Sequence, residues 1–139
     1  MKWDAVMDPK FVNPHKIKLE NHMRSFLLSD KEIHVQFQIS DFVLKTQKQI
    51  AKDFYSIGVS FSTGFENEEF SHHEILLEVQ SKLEEISLMG EPKLLQLMYQ
   101  IDIPEKQFLH LINSSDFSVK LSDLIIRREA FKVFVRSSC

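Results

Sequence analysis

Histidine and glutamate crowd together at His72-His73-Glu74, just after Glu68 and Glu69. Imidazole and carboxylate are donors that hold divalent metals when they converge on one point. Neighbouring residues on a helix diverge by about 100°, so His72 and His73 do not easily share an ion. His73 with Glu69 is the pair that could. The spacing H-E-x-x-H is absent, which favours a solvated helix start over a metal site. His15, His22, His34 and His110 are scattered along the chain, and His110 sits between Leu109 and Leu111.

Other chemistry finds less to work with. No serine stands in a G-x-S-x-G elbow. Gly58, Gly64 and Gly90 are too dispersed to build a phosphate-cradling loop. Glu68/Glu69 and Glu84/Glu85 read as solvated surface. Cys139, the one cysteine, has no fixed neighbourhood that would activate its thiol, and it excludes an internal disulfide. These residues imply no catalytic constellation and no cofactor, so the chain reads as a non-enzymatic protein.

A basic stripe is the other lead. Arg128, Lys132 and Arg136 recur every four residues on an expected C-terminal helix, and Arg127 lies apart from them. Such a stripe either pairs with acids of a neighbouring helix, such as Glu84 or Glu85, or docks an acidic partner or a nucleic-acid backbone. A net charge of −3 and a pI near 6.1 weigh against a dedicated nucleic-acid binder.

The elements that must position these groups follow from periodicity. Residues 1–15, with Pro9 and Pro14, read as an irregular lead, and 16–28 as a short helix. Between Glu32 and Ile39 polar and apolar residues alternate, which predicts a half-buried strand. Against it, Ser29 and Glu32 could form a helix-capping box. Residues 41–55 read as a helix capped by Asp41, with Val43, Gln47, Ile50, Ala51 and Phe54 inward and Lys45, Lys48, Lys52 and Asp53 elsewhere. The alternation from Tyr55 to Phe61 suggests a second short strand, with Gly58 at a bulge or helix end. Residues 62–70 read as an acidic loop and the best place for an internal boundary.

Beyond it the pattern is helical. Ser71-x-x-Glu74 opens a helix to about residue 88, Gly90 ends it, and Pro92 suits the first turn of the next. A turn or short helix follows Pro104, and residues 119–136 form a last helix with apolar residues on more than one side. The expected fold is therefore mainly α, a bundle of four to five helices with one or two short strands in the N-terminal half. An α+β arrangement stays open for residues 31–61.

At 139 residues the chain suits one domain, 1–139, with a real core. Its 12 phenylalanines are core or interface material. Asp4, Asp8 and Pro9 break up any apolar leader, and no run approaches a membrane span. The expected setting is cytoplasmic, with no membrane contact.

Met98 to Glu105 and Leu124 to Val133 together resemble small uncharacterised bacterial proteins. That resemblance spans about the last third of the chain and implies no activity and no site residue. The function expected from the residues is a helical interaction module that self-associates or binds another protein. The alternatives are a metal-dependent protein or enzyme using His72, His73 and the nearby glutamates, and a nucleic-acid accessory using the C-terminal basic helix.

Overall fold

Residues 27–138 are described by a computed structural model. The lead over 1–15, the expected helix over 16–28 (apart from the non-helical Leu27 and Leu28) and Cys139 lie outside the described residues. Among the described residues the fold is six α-helices with one 3-10 turn and no strand. The helices are α1 (Asp30–Gln36), α2 (Ser40–Tyr55), α3 (His72–Ser87), α4 (Glu91–Ile101), α5 (Glu105–Leu111) and α6 (Phe117–Ser138), and the 3-10 turn covers Thr63–Glu66. None of them is long and apolar enough to cross a membrane.

Both expected strands are helix and helix end instead. At the first, the capping box wins over the alternation. Ser29 Oγ accepts from Glu32 N at 3.1 Å, and Glu32 Oε1 accepts from Ser29 N at 2.9 Å. The alternating face never forms: Ile33 is 4% exposed, but Val35 is 50% and Ile39 48% exposed. At the second, Gly58 adopts φ 85°, and Val59 N donates to Phe54 O while Gly58 N donates to Tyr55 O. This is a Schellman stop of α2, and glycine is there because the left-handed position penalises a Cβ. Ile57 and Val59 are still buried, so the alternating residues reach the core from a turn rather than a strand.

α2 starts one residue before Asp41, with Ile39 at the N-cap and no side-chain cap bond. The expected inward residues Val43, Gln47, Ile50, Ala51 and Phe54 are all buried. Asp53, expected away from that stripe, is buried too. The acidic segment 62–70 is bound to the body rather than standing as a break. Phe65 is fully buried, and the side chain of Gln47 donates to Phe65 O at 2.7 Å and Glu68 O at 2.8 Å and accepts from Phe70 N at 2.9 Å.

In the second half, Ser71 and Glu74 form the expected capping box of α3. Gly90 serves as the N-cap of α4 at φ 109°, with Pro92 in that helix's first turn. α6 runs longer than expected and is the central post. It packs on α2, α3, α4 and α5 and buries Leu121, Leu124, Ile125, Ile126, Ala130 and Val133. A main core joins α2–α6, and a smaller cluster of Leu28, Ile33, Phe42, Ala130 and Val133 fixes α1 against α6. No described phenylalanine is exposed. Phe61 stacks on Phe65 at 4.2 Å and meets Phe54 edge-on at 5.0 Å, so the described phenylalanines fill the core and its margin.

Candidate ligand-binding groove

The basic stripe of α6 divides between the interior and the surface. Arg128 Nε donates to Ile101 O at 3.2 Å, and its Nη2 lies 3.6 Å from Asp102 Oδ2, so its guanidinium caps the C-terminus of α4. Lys132 Nζ donates to Asp53 Oδ2 at 2.9 Å. Neither cation meets Glu84 or Glu85, the partners expected from sequence. These α6 positions face α2 and the end of α4, while Glu85 pairs with Lys82 at 3.5 Å within α3. Arg127 also turns inward: it binds Asp123 Oδ2 at 2.8 Å, Leu28 O at 3.1 Å and Asp30.

Arg136 alone of the stripe remains at the surface, and it has new company. An open groove of about 390 Å³ lies between α2 and α6, lined by Lys45, Lys48, Gln49, Lys52, Val133, Arg136 and Ser137. The lysines sit at i, i+3 and i+7, which gathers them within about 60° of the α2 circumference and about 10 Å along its axis. The buried positions of α2 fill the other side, so the amphipathic pattern that builds the core also assembles the cations. Lys45 pairs with Asp41 at 3.0 Å. Lys48, Lys52 and Arg136 have no acidic partner among the described residues.

Behind the groove lies a buried polar cluster. Gln49 lines the groove and donates to Asp53 Oδ2 at 3.1 Å, the same oxygen that accepts from Lys132. Glu129 is fully buried on the other side of Lys132. Burial, then the hydrogen bond to Asp53 and that residue's charge, push Glu129 well above the usual carboxyl range. Burial also acts to raise Asp53, but hydrogen bonds from Glu129, Lys132 and Gln49 and the Lys132 charge outweigh it and hold Asp53 low. Lys132 Nζ is 2.9 Å from Glu129 Oε1 without the angle of a good hydrogen bond. Neither Glu129 oxygen has a hydrogen-bond partner of good geometry among the described residues, so an ionised Glu129 would leave buried acceptors unmatched. Burial and the neighbouring Asp53 thus favour the neutral form of Glu129 beside the Lys132–Asp53 pair.

The histidine-rich start of α3 spreads its side chains apart. His73 is exposed, and His72 turns inward edge-on to Phe37 at 5.1 Å, with its Nε2 buried and without a hydrogen-bond partner among the described residues. Burial is the main cause that lowers His72 below the usual imidazole value, followed by the charges of Arg127 and His73, with Asp123 opposing. Glu69 Oε1 accepts from Ser40 Oγ at 2.5 Å. No three His, Cys, Asp or Glu side chains converge on one point among the described residues.

Sequence reasoning on the stripe named Arg136 but missed the lysines it meets. Their signal was present in the i, i+3, i+7 spacing of residues 45, 48 and 52. The burial of Asp53 had no comparable signal, because its charged partner Lys132 lies on α6. Comparisons with protein-family models, with curated proteins and with solved structures find no match to this chain.

Proposed function

We propose that this chain is a non-enzymatic interaction module that docks an acidic protein partner in the basic groove between α2 and α6. The supporting observation is that Lys48, Lys52 and Arg136 share one concave surface with no acid to neutralise them among the described residues, in a chain whose net charge is −3. Surface lysines gain little from isolated pairs. Gathered on a groove with low-dielectric walls, they attract an acidic segment and accelerate its arrival.

The fold supplies rigidity for this role. Gln49 and Val133 at the floor are both held by the core, the first through Asp53 and the second through the α1–α6 cluster. Lys48, Lys52 and Arg136 are thereby presented from two helices that the core holds together. The phenylalanines give no independent support for self-association, since those described are inside.

Fluorescence anisotropy with a labelled oligoglutamate peptide tests the reading. Binding should be measurable at low ionic strength and weaken as salt approaches the physiological range, where the screening length is about 8 Å. Substituting Lys48→Glu together with Arg136→Glu should abolish it while leaving the thermal melt in place. No binding by folded wild-type protein at low salt would end the proposal.

A further inference from the structure

We infer that the group recognised in the α2–α6 groove is a phosphate monoester on a phosphorylated side chain of the protein partner, rather than a carboxylate. This rests on the groove being an anion-docking site, as proposed above, and specifies its chemistry.

The first ground is charge. Lys45, Lys48, Lys52 and Arg136 bring four positive charges to the groove, and Asp41 offsets one of them. Among the described residues no acid pairs with the other three. Asp53 behind the wall is matched by Lys132, and burial favours the neutral form of Glu129. A carboxylate brings one negative charge on two oxygens. A phosphate monoester brings roughly −1.5 to −2 at neutral pH on three strong acceptor oxygens.

The second ground is donor geometry. Arg136 offers a planar fork that engages two phosphate oxygens at once, and the lysines act as point charges around the third. Gln49 has committed one amide hydrogen to Asp53, and its second hydrogen is a neutral donor at the groove floor. These side chains come from two helices and line a space of about 390 Å³. That falls at the small end of the range of about 300–1,000 Å³ typical of ligand pockets. A nucleic-acid backbone fits less well. It needs a track of cations, and the α6 stripe is interrupted where Arg128 and Lys132 are engaged inside the fold.

The test is a titration of the full chain, followed by amide and lysine side-chain chemical shifts at fixed ionic strength. The probes are inorganic phosphate, a sugar phosphate, a phosphoserine peptide, its glutamate twin, glutarate and oligoglutamate. The expected result is binding of the phosphate monoesters about tenfold or more tighter than glutarate or the glutamate twin. Shifts should centre on residues 45–52 and 133–137. Affinity should strengthen as pH rises through about 6, where the second phosphate proton leaves. Lys52→Gln with Arg136→Gln should weaken it by about tenfold or more. The phosphoserine peptide should bind at least as tightly as the sugar phosphate, and preference for the sugar phosphate would overturn the protein source. Equal affinity for phosphate and carboxylate probes, or shifts centred elsewhere, would overturn it while leaving oligoglutamate docking intact. If no probe binds, including oligoglutamate, the docking proposal falls with it.

Discussion

Lys132 and Asp53 stand 79 positions apart in the chain, yet Nζ and Oδ2 meet at 2.9 Å inside the protein, joining α6 to α2 directly behind the groove. Asp53 also takes a hydrogen bond from Gln49, so the groove floor and the buried cluster are one network. Removing one member of a buried pair strands the other charge. Lys132→Met should therefore destabilise the fold by about 3–5 kcal/mol. Urea unfolding of Lys132→Met, Asp53→Asn and the double variant checks this. The double variant should lie well short of the sum of the singles, and simple additivity would show that the two side chains do not form a unit.

Glu129→Gln separates charge from shape in the same cluster. Folding raises the pKa of Glu129 above its ordinary value of 4.5, so the folded state binds more protons than the unfolded state above that pH. Wild-type stability consequently falls as pH rises from 4.5 toward the raised value. A glutamine has nearly the shape of the protonated acid, carries a donor of its own and does not titrate. The two proteins should be within about 1 kcal/mol of each other at acid pH. The variant should become progressively the more stable as pH increases. Stability curves against pH for both proteins measure this, and a variant that loses ground at neutral pH would show that Glu129 is ionised in the fold.

His72 gives a second pH signature with the opposite slope. Burial beside Phe37 lowers its pKa below the ordinary 6.5, so the unfolded state binds the proton more readily. Its contribution to stability is complete above pH 6.5 and is lost as pH falls below that value toward the folded pKa. Asp123, Arg127 and His73 are the charged groups that act on it. His72→Leu should flatten the stability curve in this window. An unchanged slope would assign the pH dependence to other groups.

Much of this fold was legible because it is local. The Ser71–Glu74 box, Pro92 in the first turn of α4 and the apolar stripes of α2 and α3 are each written within a few residues. At 29–39 two local signals conflicted, and the alternation looked stronger. A strand needs a partner to complete its hydrogen bonds, and the capping box satisfies the helix at once. At 55–61 the glycine was read as a bulge or helix end, and its left-handed φ makes it the latter. The site was less legible. A stripe on α6 appeared uniform in sequence, but its fate depended on residues of α2 and α4 that only folding brings near. Asp53 and Asp102 absorb two of its three cations, and no periodicity reports that.

Gln47 should carry far more than an ordinary surface amide. It is fully buried and makes three hydrogen bonds to the backbone of the segment from Phe65 to Phe70. Gln47→Ala leaves those backbone groups without partners and opens a gap under the 3-10 turn. A loss of about 2–4 kcal/mol is expected. Amide exchange should accelerate first at Phe70, whose N–H donates to Gln47 Oε1. Uniform acceleration across the whole chain would mean that the segment unfolds only with the body.

Asp102 sets backbone strain against an ion pair. It is the one non-glycine residue with positive φ among the described residues, at 69°. It ends α4 by the same Schellman pattern that Gly58 provides for α2, with Ile103 N donating to Met98 O at 2.9 Å. Asp tolerates this region better than most residues, and glycine better still. The carboxylate also lies 3.6 Å from Arg128 Nη2, but it is 67% exposed, where such a pair contributes only about 0–1 kcal/mol. Arg128 keeps its bond to Ile101 O without it. Asp102→Gly should therefore be neutral or stabilising by up to about 1 kcal/mol. Asp102→Val, which adds a branched Cβ in a left-handed position, should be destabilising by about 1–3 kcal/mol. Thermal melts of the two variants decide the matter. If Asp102→Gly falls as far as Asp102→Val, the ion pair with Arg128 outweighs the strain, and the end of α4 is held by charge rather than by backbone conformation.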